Sequence, residues 1–404
     1  MKKILALVLV LCMVFALCAC GSSNGSSAGS DSAKTLKIGV FEPATGENGA
    51  GGQQEVLGIR YAHSLKPTAT INGTEYKIEL VEVDNQSDKT AAVTAAQSLV
   101  SQGVIGVLGT YGSGCAIAAG STFADAKIPA LGCSCTNPQV TAGNEYYFRV
   151  CYIDPFQGTV MANYANNVGC KTAAVIMQNG DDYSTGLANY FKDAFAKMDG
   201  CSVVYTGTFN QNETDFNAIL TAAKETNPDV LFIPSSIVTA GLIIKQARDM
   251  GIQSKIMAGD TWENATIIEN AGAANCEGIA FSTFFNEKDP GVVDFISGFQ
   301  AYLNGSADNL KLNGNNDTVA AVSALGYDAY MTMVTALESM TGDVTGEALR
   351  TALAATTYTG VTGEIKFDDN GDAMRDTAVI KTMTNGAFQF TGIQKTDGTF
   401  TPAE

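Results

Sequence analysis

Length, composition and charge already exclude several classes of protein. The chain has 404 residues, too many for a single hydrophobic core, so two lobes are expected. It carries 41 acidic against 24 basic residues, for a formal net charge of −17. This balance argues against a nucleic-acid partner and against adsorption to an anionic lipid surface.

The N-terminus has the pattern of a secretory leader. Two lysines precede an apolar segment that ends at Leu17 and is too short to span a membrane stably. Small residues then precede Cys20, which is typical of a bacterial lipoprotein signal; ordinary cleavage nearby, with Cys20 free, is the alternative. We therefore predict a signal peptide over residues 1–19, a lipid on Cys20, and a flexible Gly/Ser-rich tether over residues 20–34.

Strands and helices alternate in two successive series after the tether. Strands are predicted at 35–41, 76–83, 104–109, 128–132 and 147–151, and then at 171–177, 202–209, 230–234, 255–258 and 278–284. Stretches with a helical apolar face lie between most of them. This alternation predicts parallel sheets covered by helices, so the expected fold class is α/β with two doubly wound lobes.

Two small polar turns follow neighbouring strands of the first series. Ser113 comes after the strand at 104–109, and Ser134 and Thr136 come after the strand at 128–132, with a helix between. Such a unit makes the two strands parallel neighbours, so both turns lie at the edge where open α/β sheets bind ligands. The start of the helix offers free N–H groups to an anion. We interpret the turns as a binding site; two ordinary surface loops are the alternative.

Catalytic and metal-binding chemistry has little support in the sequence. His63, the only histidine, lies on the first predicted helix, away from the two turns, so a Ser or Cys nucleophile lacks its usual base. No phosphate-binding loop and no CxxC pair occur, and neither a metal nor a cofactor is expected. Cys170 and Cys201 each precede an apolar strand, and if those strands are parallel neighbours a disulfide can join them. Fully reduced thiols are the alternative.

Several segments, taken in order, carry a resemblance to a known family. They include IGVFEPATG at 38–46, the stretch 84–114, TNPQVT at 136–141, FRVCYIDPFQG at 148–158 and GVTGEIKFDDNGD at 360–372. Together they resemble the type I periplasmic binding proteins of the branched-chain amino acid class, which are substrate-binding lipoproteins of ABC importers. The resemblance covers nearly all of residues 35–392.

The resemblance implies two lobes joined by three crossovers. Lobe one would comprise residues 35–153 plus 285–358, and lobe two residues 154–284 plus 359–404. The implied function is that of a lipid-anchored, extracytoplasmic, monomeric and non-enzymatic protein. It would capture a small amino acid, with branched-chain or aliphatic side chains favoured, by hinge closure. It would then deliver this ligand to the permease and ATPase subunits of an ABC importer.

The resemblance also assigns roles to individual residues. The family holds the ligand α-carboxylate with a hydroxyl and backbone groups, which match Ser113, the backbone of Ser134, and Thr136. A carboxylate of the second lobe holds the ammonium group, and Asp260 stands there, although the family often has Glu. Tyr183 matches an aromatic residue that packs over the amino acid.

Three residues bear on the ligand side chain. Gly51 and Ser236 stand where leucine-type binders often carry aromatic residues, so a larger or more polar pocket is expected. Trp262 is two residues from Asp260 and either lines the cleft or caps the lobe surface. A ligand-sensing ectodomain of the same fold, or a binder of a non-amino-acid carboxylate or amide, are the alternative functions. Such ectodomains usually continue into a membrane span, which we do not find in this sequence.

Overall fold

The computed structural model describes residues 34–403. The predicted signal peptide, nearly all of the tether and the lipidation site at Cys20 lie outside the described residues. Within the described range, no helix combines the length and the apolar character that crossing a membrane requires.

The first sheet has six strands. They are β1 (Lys34–Glu42), β2 (Thr68–Ile71), β3 (Thr74–Asp84), β4 (Gly106–Leu108), β5 (Ala130–Gly132) and β6 (Tyr147–Arg149). Their spatial order is β2-β3-β1-β4-β5-β6. Strand β4 runs parallel to both β1 and β5, with Val107 opposite Ala130, and β6 continues the parallel set. The two turns predicted as a site therefore leave adjacent parallel strands.

The second sheet has eight strands. The later strands are β7 (Thr172–Gln178), β8 (Ser202–Phe209), β9 (Val230–Phe232), β10 (Lys255–Ala258), β11 (Ala280–Thr283), β12 (Thr357–Gly360), β13 (Gly363–Lys366), β14 (Thr377–Thr384), β15 (Ala387–Lys395) and β16 (Phe400–Pro402). The order in the sheet is β16-β15-β14-β11-β10-β9-β7-β8, while β12 and β13 pair separately. Strands β7 to β11 are parallel, and β14 to β16 extend the sheet antiparallel.

Helices connect the strands on both series. They are α1 (Gly49–Leu65), α2 (Lys89–Ser101), α3 (Ser113–Asp125), α4 (Asp154–Asn167), α5 (Asp182–Phe195), α6 (Asn217–Glu225), α7 (Ile237–Asp249), α8 (Ala265–Ala271), α9 (Ala273–Cys276), α10 (Val293–Asn304), α11 (Ala307–Leu312), α12 (Ala321–Ser339) and α13 (Gly346–Ala355). Asp88 caps α2 by accepting from the N–H groups of Thr90 and Ala91. Ala92, Ala95, Ala96 and Leu99 of α2 recur at helical spacing and are buried, as the sequence predicts.

The chain passes between the two sheets more than once, and this brings distant segments together. After the five parallel strands of the second sheet, the chain returns so that α12 packs against α1 beside the first sheet. This contact is very close, because a Cβ atom on Gly58 would overlap the backbone carbonyl of Ser323. Glycine is therefore required at that crossing. The last three strands then rejoin the second sheet.

The predicted disulfide between Cys170 and Cys201 is not present in the structure. Strands β7 and β8 are parallel neighbours, with Thr172 opposite Ser202, so the two cysteines do lie close together. Both are nevertheless free thiols, and the sulfur of Cys201 lies 3.9 Å from the backbone carbonyl oxygen of Cys170. The side chain of Cys201 thus points at the main chain of its neighbour.

Candidate ligand-binding cleft

A small cavity lies between the strand ends of the two sheets. Five residues predicted from the sequence line it: Ser113 and Ser134 from the first sheet, and Tyr183, Ser236 and Asp260 from the second. All five side chains are buried. The cavity is therefore enclosed by both halves of the chain, at the position where doubly wound sheets bind ligands.

On the first-sheet side, the cavity meets the start of α3. Gly112 precedes the helix with a φ of 101°, and no described side chain caps its N-terminal N–H groups. The hydroxyl oxygen of Ser113 accepts the backbone N–H of Asn137 at 3.1 Å, which ties the two polar turns together. Free N–H groups and the positive end of the helix dipole make this wall suited to an anion.

The two other residues predicted for this wall differ in their exposure to the cavity. Ser134 lines it, and its hydroxyl donates a short hydrogen bond to Glu55 behind the wall. Thr136 is fully buried outside the cavity lining and lies beside the buried carboxyl of Asp154. The structure thus brings Ser113 and Ser134 to the cavity and leaves Thr136 one layer back.

On the second-sheet side, the cavity meets a buried carboxyl group. Gln157 Nε2 and the Tyr183 hydroxyl donate to Asp260 Oδ1, at 2.8 and 3.1 Å. Burial raises the pKa of Asp260 to about 6. No lysine, arginine or histidine of residues 34–403 forms an ion pair with it. The second oxygen, Oδ2, is therefore available to a cationic group that enters the cavity.

Tyr111 lines the cavity and was not predicted from the sequence. Its ring occupies the space beside Gly51, since a Cβ atom on Gly51 would overlap the ring. Gly51 itself does not line the cavity. The turn after β4, rather than α1, thus supplies an aromatic side chain to the cavity. Its ring fills part of the space that a glycine at position 51 led us to expect. The signal in the sequence was Gly51 itself, because a glycine at a position that usually carries a ring leaves room for a ring from another segment.

Trp262 neither lines the cavity nor caps a surface. It is fully buried among the apolar residues of the second sheet, and its indole N–H donates to Ser235 Oγ at 3.3 Å. Asp260 and Trp262 are the ends of a 3₁₀ turn, in which each residue rotates by about 120° around the axis. Because the two residues are two positions apart in this turn, their side chains point in different directions. The buried Trp262 side chain therefore anchors the turn, and Asp260 lies at the cavity.

Two carboxyl groups and a thiol lie directly beneath the first-sheet wall. One ligating atom each of Glu42, Glu55 and Cys133 fall within 4.8 Å of one another, and all three side chains are buried. Burial raises the pKa of Cys133 well above its usual range, so the thiol is protonated. Three donors are one fewer than the four-ligand set of a structural zinc site requires. The sequence did not reveal this group, because Glu42 and Glu55 lie far from Cys133 along the chain.

Arg149 supports the same wall from behind. Its buried guanidinium donates to Asp372 at 2.6 Å and to the backbone carbonyls of Cys135 and Asn137 at 2.8 and 2.7 Å. These bonds hold the second polar turn in place and satisfy a charge that burial would otherwise penalise. Both residues lie in segments that carry the family resemblance.

Polar contacts join the two sides around the cavity. Lys89 pairs with Asp182 at 2.8 Å, and the side-chain amide of Asn137 donates to the backbone carbonyl of Asp182 at 2.7 Å. Gln54 accepts a hydrogen bond from Asn264 at 3.0 Å. These bonds connect α1, α2 and the second turn with elements of the other sheet, so they form when the two sides meet.

The sequence matches the family model of the periplasmic binding proteins over residues 35–387. The chain therefore belongs to the periplasmic binding protein family, whose members are extracytoplasmic. This confirms the resemblance drawn from the motifs, and the α/β fold with two doubly wound lobes is confirmed with it.

Individual relatives point to one branch of that family. An amino acid binding protein from Pseudomonas aeruginosa is 33% identical over 226 residues, which span 55% of this chain and 60% of that protein. A leucine-binding protein from Thermotoga maritima has a crystal structure with a TM-score of 0.82 and 33% identity, covering 90% of this chain and 100% of the other. The structure of a branched-chain amino acid transporter substrate-binding protein from Streptococcus pneumoniae, in complex with isoleucine, has a TM-score of 0.78 and 28% identity. The match covers 88% of this chain and 98% of the other.

Proposed function

We propose that this protein is an extracytoplasmic solute-binding protein that captures a small amino acid, preferably an aliphatic one, and delivers it to an ABC importer. It would act as a monomer without catalytic activity. Its lobes would be residues 35–153 plus 285–358 and residues 154–284 plus 359–404. After removal of residues 1–19, a lipid on Cys20 would anchor it to the cell membrane of a bacterium.

One observation carries this proposal. The uncapped start of α3 at Ser113 and the unpaired carboxyl of Asp260 line the same small cavity, from opposite sides. A zwitterion places an anion and a cation a few ångströms apart, which is the charge pattern that these two walls complement. Enclosure removes water from both ligand charges, and each then needs a paired partner in the protein.

The character of the remaining lining favours an aliphatic side chain. The rings of Tyr111 and Tyr183 provide apolar surface, and Ser236 adds a hydroxyl that already bonds Thr239. The relatives from Thermotoga maritima and Streptococcus pneumoniae, whose names refer to leucine and isoleucine, support the same class of ligand.

The order of events follows from the placement of the groups. The ligand carboxylate would bind first to the N–H groups near Ser113 and Ser134, since these belong to a single wall. Closure would then bring Asp260 and Tyr183 onto the ammonium group and form the Lys89–Asp182 contact at the rim. The closed protein is the form that would dock on the permease.

The test is a calorimetric screen of the twenty standard amino acids, followed by two matched ligands. Leucine amide lacks the carboxylate, and 4-methylpentanoic acid lacks the ammonium group, while both keep the aliphatic chain. We expect leucine, isoleucine or valine to bind and both analogues to lose at least about 2 kcal/mol of binding free energy, as for other unpaired buried charges. If 4-methylpentanoic acid bound as tightly as leucine, the protein would instead be a binder of carboxylates. If no amino acid bound, the proposed ligand class would be rejected.

A further inference from the structure

Two buried carboxyl groups connect the two polar turns of the first-sheet wall. Glu42 Oε2 accepts the backbone N–H of Tyr111 at 2.6 Å, next to the start of α3. Glu55 Oε1 accepts the hydroxyl of Ser134 in the other turn. Each carboxyl thus holds one of the two segments that line the cavity. Together they form a bridge beneath the place proposed for the ligand carboxylate.

The remaining oxygen of each carboxyl is buried beneath the wall. Glu42 Oε1 and Glu55 Oε2 accept from no N–H or O–H group among residues 34–403. The two carboxyls contact each other, with the Cys133 thiol beside them. Two ionised carboxylates in this position would repel each other in a buried, weakly polarisable environment. A single proton between them removes that repulsion, because the protonated carboxyl can donate its O–H to the other carboxylate.

Among residues 34–403, no free positive charge compensates the pair. The ionisable groups that face the pair are the Cys133 and Cys135 thiols, the Tyr111 and Tyr147 phenols, and Asp260 from the opposite wall. Burial raises the pKa of all four thiols and phenols, so they are neutral. The guanidinium of Arg149 is engaged by Asp372. A bound ligand carboxylate would add one more negative charge above the pair.

We infer that Glu42 and Glu55 are positioning residues whose paired carboxyls share a proton, and that binding of the ligand carboxylate above them draws a further proton onto the pair. The inference rests on the proposed amino-acid-binding function. Burial raises the pKa of Glu42 well above its usual range and that of Glu55 to about 7. Affinity therefore falls as the pH rises above about 7, by up to about tenfold per pH unit for one linked proton.

The experiment measures leucine binding by calorimetry from about pH 5 to pH 9, in two buffers of different ionisation enthalpy. We expect wild-type protein to take up protons on binding above neutral pH and to lose affinity there. Glu55→Gln keeps an acceptor for Ser134 and supplies a permanent donor to Glu42, so its affinity should stay flat above pH 7. Asp328→Asn is the matched control, since Asp328 is also a buried acid with a pKa of about 6 but bonds Val361 and Thr362. Absence of proton uptake by wild-type protein, or equal slopes for wild type and Glu55→Gln, would overturn the inference.

A ligand-free measurement separates this inference from the proposed function. Because the pKa of Glu55 is raised on folding, the folded protein holds a proton between about pH 4.3 and pH 7 that the unfolded chain has lost. Stability from this group is present below that window and decreases as the pH rises through it. Thermal unfolding of Glu55→Gln should therefore lose less stability across the window than the wild type. A parallel pH dependence of the two proteins would contradict the shared proton even if no amino acid binds.

Discussion

The two walls of the cleft use buried acids in opposite ways. The first-sheet wall presents N–H groups to the cavity and keeps Glu42 and Glu55 behind them, and neither acid forms an ion pair within the described part of the chain. The second-sheet wall presents Asp260 itself, with donors from Gln157 and Tyr183 on one oxygen. All three carboxyls have a raised pKa because of burial. The charge that arrives with the ligand decides which acid becomes ionised: a cation favours the charged form of Asp260, and an anion favours the protonated pair.

The largest expected effect concerns Asp260, the acid proposed to face the ligand cation. Asp260→Ala should weaken leucine binding by about 2–5 kcal/mol, because the ammonium group would be buried without a partner. In the wild type, affinity should also fall as the pH drops below about 6, where the empty site binds a proton that the ligand must displace. Calorimetry over that range measures both effects.

Asp181→Asn provides the matched control for Asp260→Ala. Asp181 also lines the cavity, but its carboxylate caps α5 by accepting from the Ser184 N–H. This variant should keep most of the affinity and the pH dependence below 6. Equal losses in the two variants would mean that the cation has no specific partner in the second wall.

A smaller effect is expected from crowding the first wall. Gly51→Ala would push the Tyr111 ring into the cavity, and overpacking of this kind costs about 1–3 kcal/mol. Leucine binding should weaken more than alanine binding, because the larger side chain needs the space that the ring would take. Competition calorimetry with the two amino acids measures the ratio.

Adding Tyr111→Leu to Gly51→Ala should restore the preference for leucine. The second change removes the ring but keeps the backbone N–H that bonds Glu42. If the double variant kept the altered ratio of leucine to alanine affinity, the ring of Tyr111 would not be the group that limits the size of the ligand side chain.

The smallest effect is expected where the two walls meet at the surface. Lys89→Met removes the rim ion pair with Asp182, whose side chains are 52% and 31% exposed. Exposed pairs contribute about 0.2–1 kcal/mol, so affinity should fall at most a few-fold, and the difference should fade in high salt. Lys245→Met is the control, because its partner Asp249 lies in the same helix, α7. This ion pair should therefore be unaffected by closure of the cleft. A similar loss in both variants would show that rim pairing is not coupled to ligand binding.

Much of the fold could be predicted because its signals are local. Short apolar runs alternate with helical stretches, and a strand–helix–strand unit has one favoured handedness, so β4 and β5 had to be parallel neighbours. The cap at Asp88 and the buried face of α2 follow from spacing within one helix. The short strand β2 escaped prediction because it pairs only with β3 at the edge of its sheet.

The candidate site was only partly predictable for a related reason. Ser113 and Ser134 sit on turns that strand order alone brings to one edge, and Tyr183 and Asp260 came from the family resemblance; all four line the cavity. The direction of a side chain depends on the local turn, and the 3₁₀ turn at Asp260 rotates Trp262 into the core. The sequence pattern carried no information about that rotation.

The sequence by itself determined the sheet class, the family and the position of the first polar turns, because periodicity and strand order act over short stretches of chain. Only the tertiary structure decided which buried groups meet. Glu42 and Glu55 come from β1 and α1, and they reach Tyr111 and Ser134 from turns about 70 to 80 residues later. Contacts across such distances depend on how helices and strands pack in three dimensions, where one glycine or one rotated turn changes the neighbours of a side chain.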